Sequence, residues 1–214
     1  MTAPLQLHTI VSMPFAENTY IAWLPGQAAC LVIDPGMDPE AILEFLQEQQ
    51  LTPAAILNTH GHADHIAGNM ALKEAYPTVP IIIGAGDANM LTDAMANLSA
   101  PFGMPITSPP ADQVVREGDV LELAGFRLEV LEIPGHSPGH VVFLCWQPGP
   151  LVFGGDVLFR DSIGRTDFPG GDHLQLLEGI HGKLFTLPDT VVVYPGHGPV
   201  TTTGQEKRTN PFLV

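Results

Sequence analysis

The segment Thr59-His60-Gly61-His62-Ala63-Asp64-His65 places three imidazoles and a carboxylate within six residues. In an extended loop His60 and His62 share a face, because alternate side chains point the same way. The small Gly61 and Ala63 let the chain bend around an ion. Neutral imidazole nitrogens and carboxylate oxygens are donors that divalent metals take, so this spacing reads as a metal site rather than as solvated loop histidines. Three further ligand-type residues share one context, each following an apolar run at a glycine-marked turn: His136 in Pro134-Gly135-His136, Asp156 in Gly155-Asp156, and His197 in Pro195-Gly196-His197. Singly, Asp156 could cap a turn, and His136 or His197 could be merely exposed. Together with the cluster they read as joint ligands. His140 and His181 lack that context and are expected to be structural or solvated. His173 is expected at a helix start, and His8 in a strand.

The elements that position these groups are short apolar runs broken by turn residues. LQLHTIV, NTYIAWL and AACLVI read as strands, the last closed by Asp34-Pro35-Gly36. Asp38 and Pro39 then open a helix with Ile42, Phe45 and Leu46 on its apolar face. AAILN is a buried strand running into Thr59, residues 80–83 form another, and residues 87–98 are expected to be helical. The second half alternates in the same way. VVREGDVLELAGFRLEVLEI folds back at Gly125, HVVFLCW and PLVFGG follow as buried strands, and TVVVY is the last strand before His197. Asp172 is expected to cap a helix carrying Leu174, Leu177, Ile180 and Leu184. No linker separates the halves. Two strand-then-helix halves packed sheet to sheet, helices outside, would bury all of these runs, which makes the fold class α/β and the architecture an αββα sandwich.

Composition narrows the partners. With 8 Lys+Arg against 23 Asp+Glu the formal charge is −15, so nucleic acid and anionic membranes are poor partners and no polyanion is expected. No apolar run approaches the roughly 18 residues of a membrane span. MTAPLQLHTI lacks a basic leader, and Cys30 and Cys145 sit in apolar runs where inert, buried thiols are expected. A cytoplasmic protein is the expectation.

The pattern His-x-His-x-Asp-His at 60–65, followed by Gly-His, Gly-Asp and Gly-His in that order, resembles the metallo-β-lactamase superfamily. An Asp rather than a Cys at 156 is similar to its glyoxalase II (hydroxyacylglutathione hydrolase) branch. The resemblance runs from Ile33-Asp34-Pro35-Gly36 to Asn210-Pro211-Phe212. It implies one metallo-β-lactamase-like domain over 1–214 with two mixed β-sheets flanked by helices. It further implies two divalent metal ions, zinc first with iron or manganese as alternatives. His60, His62 and His136 would hold the first ion, Asp64, His65 and His197 the second, and Asp156 would bridge them. Two such ions share a water and lower its pKa toward neutrality, giving a hydroxide that attacks a small-molecule acyl thioester such as S-D-lactoylglutathione, with Asp64 orienting it.

Two departures from that family's pattern concern the substrate. The cationic position nine residues after Asp156, a Lys that meets the glutathione tail in glyoxalase II, is Arg165 here, and the family's tyrosine two residues later is Asp167. Arg165 therefore has two readings, a contact for the thiol tail or an ion pair with Asp167. Only residues 198–209 lie between His197 and Asn210, where two-domain relatives carry a helical glutathione-binding region. An alternative function is a persulfide dioxygenase with one iron on His60, His136 and Asp156, since that class also resembles this chain at Gly164-Arg165-Thr166-Asp167.

Overall fold

In a computed structural model the chain is described over residues 5–147 and 149–214, so the leader-free reading of the N-terminus falls partly outside the described residues. Strands β1 (Gln6–Ser12), β2 (Glu17–Trp23) and β3 (Ala29–Ile33) form an antiparallel meander. Helix α1 (Pro39–Glu48) returns the chain to β4 (Thr52–Asn58), which lies parallel to β3. The short helices α2 (Ala63–Ile66) and α3 (Asn69–Ala75) lead to β5 (Ile81–Gly84), and β6 (Gln113–Val115) completes the first sheet in the order β1-β2-β3-β4-β5-β6. The second sheet is built from β7 (Val120–Leu123), β8 (Phe126–Glu132), β9 (Val141–Cys145) and β10 (Leu151–Gly155). After a two-stranded ribbon of β11 (Leu158–Phe159) and β12 (Ser162–Ile163), helix α4 (His173–Gly182) crosses over to β13 (Val192–Pro195), parallel to β10. β14 (Thr201–Thr202) and α5 (Thr203–Thr209) follow, and the sheet order is β14-β13-β10-β9-β8-β7.

The apolar runs are continuous because both faces of their strands are covered. Along β4, Ala55 and Leu57 point between the sheets, while Ile56 lies under the helices with Ile42 and Leu46 of α1. Along β9, Val141, Phe143 and Cys145 enter the inter-sheet core, and Val142 and Leu144 pack with Leu176 and Ile180 of α4. This alternation is the expected αββα sandwich. Cys30 and Cys145 are free and buried as expected, and burial pushes the Cys30 thiol up to about 12. Among the described residues no helix is long and apolar enough to cross a membrane.

Helix α1 starts as expected, with the Asp38 side chain accepting from the Ala41 N–H and Pro39 in its first turn. His173 is the first residue of α4, capped by Asp172, whose Oδ1 accepts from the N–H groups of Leu174 and Gln175 at 2.9 and 3.1 Å. His8 lies in β1, its ring stacked on Phe45 at 3.8 Å.

Two expectations are corrected. The buried stripe of α4 is Leu176 and Ile180, continued by Leu184, whereas Leu174 is exposed. Residues two apart on a helix lie on opposite faces, so Leu174 cannot share the stripe of Leu176. Residues 87–98 form only a single 3₁₀ turn, Ala88–Leu91, because polar side chains there bond the backbone in competition with a helix. Asp93 accepts from the N–H groups of Met95 and Ala96, the Asn97 amide donates to the carbonyls of Met90 and Ile106, and Leu98 turns the chain at φ 70°.

Phe143 is among the largest fully buried side chains and sits between the two sheets. Phe143→Ala is expected to cost about 3–5 kcal/mol, read as a lower urea midpoint with an unchanged slope. Val120→Ala, at an exposed site on β7, should leave the midpoint close to that of the parent.

Candidate active site

All seven expected ligand residues meet at one edge of the sandwich, beyond the ends of β4, β8, β10 and β13. In folds with parallel strands, loops gather into a cleft at this edge. Two close approaches explain the glycines that precede Asp156 and His197. A Cβ on Gly155, which sits at φ +48°, would run into Thr59 Oγ1 and the His140 ring, and one on Gly196 would run into the Asp156 carboxylate and His65. Only glycine lets these loops come within ligand distance of the β4 loop.

The donor atoms form overlapping groups. His60, His62 and His136 offer nitrogens within 4.8 Å of one another, as do the ligand atoms of Asp64, His65 and His197. A third group, His60, His65 and Asp156, joins the other two. The Asp156 carboxylate lies between them: Oδ1 is 3.5 Å from His65 Nε2, and Oδ2 is 3.4 Å from His136 Nε2 and 3.5 Å from His197 Nε2. Asp64 Oδ2 stands 3.4 Å from His197 Nε2 and 3.8 Å from His65 Nε2.

Hydrogen bonds on the far side of four rings aim their Nε2 atoms inward. His136 Nδ1 donates to the Arg165 carbonyl at 2.8 Å, and His197 Nδ1 donates to the Phe15 carbonyl at 3.1 Å. A carbonyl only accepts, so these rings carry a proton on Nδ1, which leaves Nε2 as the atom that can ligate. His65 Nδ1 lies 3.2 Å from Asp34 Oδ2, and His60 Nδ1 lies 3.1 Å from Thr59 Oγ1. His62 is turned the other way, its Nδ1 facing His136 Nε2 at 2.9 Å.

Buried His60 Nε2, His65 Nε2 and Asp156 Oδ1 have no hydrogen-bond partner among the described residues. Polar atoms buried in this way cost free energy unless something satisfies them, and here several converge on shared points. The electrostatics agree. Burial holds His60 neutral and pushes His62 down to about 3, so both present lone pairs. Burial also opposes an imidazolium at His65, but Asp64, Asp156 and Asp34 around it outweigh burial and raise its pKa. The pocket therefore calls for positive charge among neutral nitrogens. Divalent ions fit the donor set and that demand.

The sequence reading missed several residues that hold the site. Asp34 has φ 48°, and its carboxylate accepts from Thr59 N–H and Thr59 Oγ1, both at 2.7 Å, besides facing His65. Asp87, fully buried, accepts from Gly61 N–H, Ser137 Oγ and Gly139 N–H at 3.1, 2.6 and 2.6 Å, tying the His60-Gly61-His62 loop to the His136 loop. Asn18 of β2 clamps the His197 loop, donating to the carbonyls of Pro195 and Gly198. Asp34 opens the turn Asp34-Pro35-Gly36 and Asp87 follows Gly86, a signal legible only as turn chemistry. His140 is the structural histidine expected, and it holds the site from behind. Its Nε2 accepts the Asp156 N–H at 3.0 Å while its ring stacks on His60. His181 stays at the surface against Phe185.

A cavity of about 490 Å³ opens onto this centre, with His62, Asp64, His136, Asp156 and His197 in its floor. Arg165 lines its mouth, but its guanidinium grips both oxygens of Asp167 at 2.7 and 2.8 Å and lies 3.8 Å over the Phe168 ring. The ion-pair reading of Arg165 is thus realised, while its backbone carbonyl orients His136.

Fold and centre define a metal-binding hydrolase. The family model "Metallo-beta-lactamase superfamily" matches residues 13–197, and the chain belongs to that superfamily. It is 37% identical to hydroxyacylglutathione hydrolase GloC of Haemophilus influenzae, over 98% of each chain. A solved structure of BLEG-1 B3 metallo-beta-lactamase is 40% identical and superposes with a TM-score of 0.93, covering 98% of this chain and 100% of that one. TTHA1623 in a di-iron-bound form, also 40% identical, gives 0.84 over 96% and 100%.

Asp34→Asn keeps the shape and the turn preference but weakens the acceptor behind His65. The metal affinity of the His65 group should fall roughly 10–100-fold, measured by competition with a chromophoric chelator, while unfolding stays cooperative. Unchanged affinity would mean that Asp34 serves only the turn.

Proposed function

We propose that the chain, acting as one metallo-β-lactamase-like domain, hydrolyses acyl thioesters to a carboxylic acid and a free thiol at a pair of divalent metal ions. The observation that carries this is the Asp156 carboxylate set between two histidine groups, in each of which one buried inward nitrogen, His60 Nε2 or His65 Nε2, has no hydrogen-bond partner among the described residues. His60, His62 and His136 would hold one ion, Asp64, His65 and His197 the other, and Asp156 would serve both. The similarity to the GloC hydrolase supports the same reading. Zinc, iron or manganese suits this set, since no thiolate is present to select among them.

When bound, the ions supply a Lewis acid for the carbonyl oxygen and a near-neutral pKa for a water. Asp64, partly exposed on the cavity floor, would accept a hydrogen bond from such a water and orient it toward the carbonyl carbon. The held Nδ1–H groups of His136 and His197 keep the centre rigid during attack, so little reorganisation is needed. The leaving group is the informative step. Among the described residues lining the cavity, the titratable ones are the proposed ligands and the paired Arg165, so no free general acid faces the substrate. A thiol with a pKa of about 8.5 departs as an anion without a proton, whereas an amine leaving group needs one. This favours thioesters over amides.

Steady-state assays of the metal-loaded protein test the proposal. S-D-lactoylglutathione should be hydrolysed with a high KM, and a β-lactam such as nitrocefin far more slowly. Asp64→Ala should lower kcat by at least roughly a hundredfold with the fold intact, and His181→Ala should change it little. Oxygen uptake with glutathione persulfide, in place of thioester turnover, would establish the iron dioxygenase chemistry instead and overturn the proposal.

A further inference from the structure

The cavity above the metal centre has two walls, and both are apolar at the mouth. One comes from the irregular loop after β5, through Leu98, Phe102 and Met104; the other is formed by Phe15, Phe159 and Phe168. Phe102 is 61% exposed, Met104 43% and Phe15 43%, so large apolar side chains that line the cavity also face solvent. Soluble proteins seldom leave such a patch open unless something covers it.

The loop wall is built, not loose. Buried Asn97 donates to the carbonyls of Met90 and Ile106 and accepts from the Ser99 N–H and Oγ, and the Asn97 carbonyl accepts the Ala63 N–H at the start of α2. The backbone N–H groups of Phe102 and Met104 both donate to the Ser99 carbonyl, which ties their backbone to this network. Among the described residues lining the cavity the one Lys or Arg is Arg165, and its guanidinium is paired with Asp167. A chain of formal charge −15 offers no general attraction to an anionic tail either. A glutathione tail, with two carboxylates, finds little here to bind it. A hydrocarbon group finds both walls.

We propose that this cavity is a hydrocarbon-binding pocket, and that the substrate thioester carries an apolar chain or ring beside its scissile bond. The inference rests on the thioester reading for the reaction, but the pocket stands on its own geometry. The hydrocarbon can belong to the acyl group or to the thiol, and each substituent buried between the walls favours binding in proportion to the area covered.

Two series of thioesters test the proposal on the metal-loaded protein. One runs from acetyl to hexanoyl on N-acetylcysteamine. The other keeps an acetyl group and lengthens an alkyl thiol. kcat/KM should rise about fourfold per buried methylene in one series, and that series tells which side of the bond enters the pocket. Phe102→Ser with Met104→Ser, both exposed and remote from the ligands, should flatten the rise, with an unchanged melting transition showing the fold intact. Binding of non-hydrolysable S-hexyl and S-methyl thioethers to the metal-stripped protein, by calorimetry, reads the pocket without turnover. The hexyl compound should bind more tightly, and the double variant should lose the difference.

Tighter hexyl binding without hydrolysis of any thioester would overturn the proposed reaction while supporting the pocket. Hydrolysis with flat series and equal thioether binding would overturn the pocket alone. So would a rise that survives the double substitution. A concentration-dependent dimer with flat series would assign the apolar mouth to a protein contact and likewise contradict the proposal.

Discussion

The Asp34 carboxylate is the contact on which the site's geometry depends most. It closes β3 in a left-handed conformation, accepts twice from Thr59 at the end of β4, and faces the outer, Nδ1 side of His65. Those bonds fix where the loop after β4 begins and how its last histidine is turned. Asp87 repeats the device one loop later, linking Gly61 to Ser137 and Gly139, and so connects the ligands of the first sheet to His136 of the second. Asn18 supplies the third tie, from β2 to the loop of His197. The Asp87 and Asn18 ties cross between elements of the two sheets, so the packing of the sheets also positions the ligands.

That coupling has an electrostatic consequence. Buried imidazoles and carboxylates are costly to desolvate, and carboxylates left without a counter-charge destabilise the loops that carry them. The hydrogen bonds behind the rings fix orientation, but they leave the inward nitrogens of His60 and His65 without partners among the described residues. The protein accepts that local cost where it builds chemistry. The inter-sheet core of Leu57, Phe143 and Phe153 supplies the stability that permits it.

Much of this was legible in the sequence, for physical reasons. Imidazole and carboxylate have few structural substitutes, so the His60–His65 spacing announces its chemistry, and Gly155 and Gly196 mark backbones that must approach other groups closely. Continuous apolar runs such as 141–145 indicate strands covered on both faces. The helix expected over 87–98 failed because its periodicity competes with Asp93 and Asn97, whose side chains capture backbone groups instead. Asp34, Asp87 and His140 stayed invisible as site residues because their partners lie far away in sequence, and a lone polar residue in a turn looks the same whether or not it orients a ligand. Arg165 has two readings in the sequence because a cation beside a carboxylate looks the same there whether it serves the loop or a substrate; in the structure its guanidinium is paired with Asp167.

The central claim is that two ions occupy the converging donor groups and share Asp156. The most direct measurement is anomalous diffraction from crystals of the metal-loaded protein, collected on both sides of the absorption edge of the ion used. The account predicts two peaks, one bounded by His60, His62 and His136, the other by Asp64, His65 and His197, with Asp156 touching both. A single peak at the first position with the second group empty, or ions held by other side chains, would contradict it.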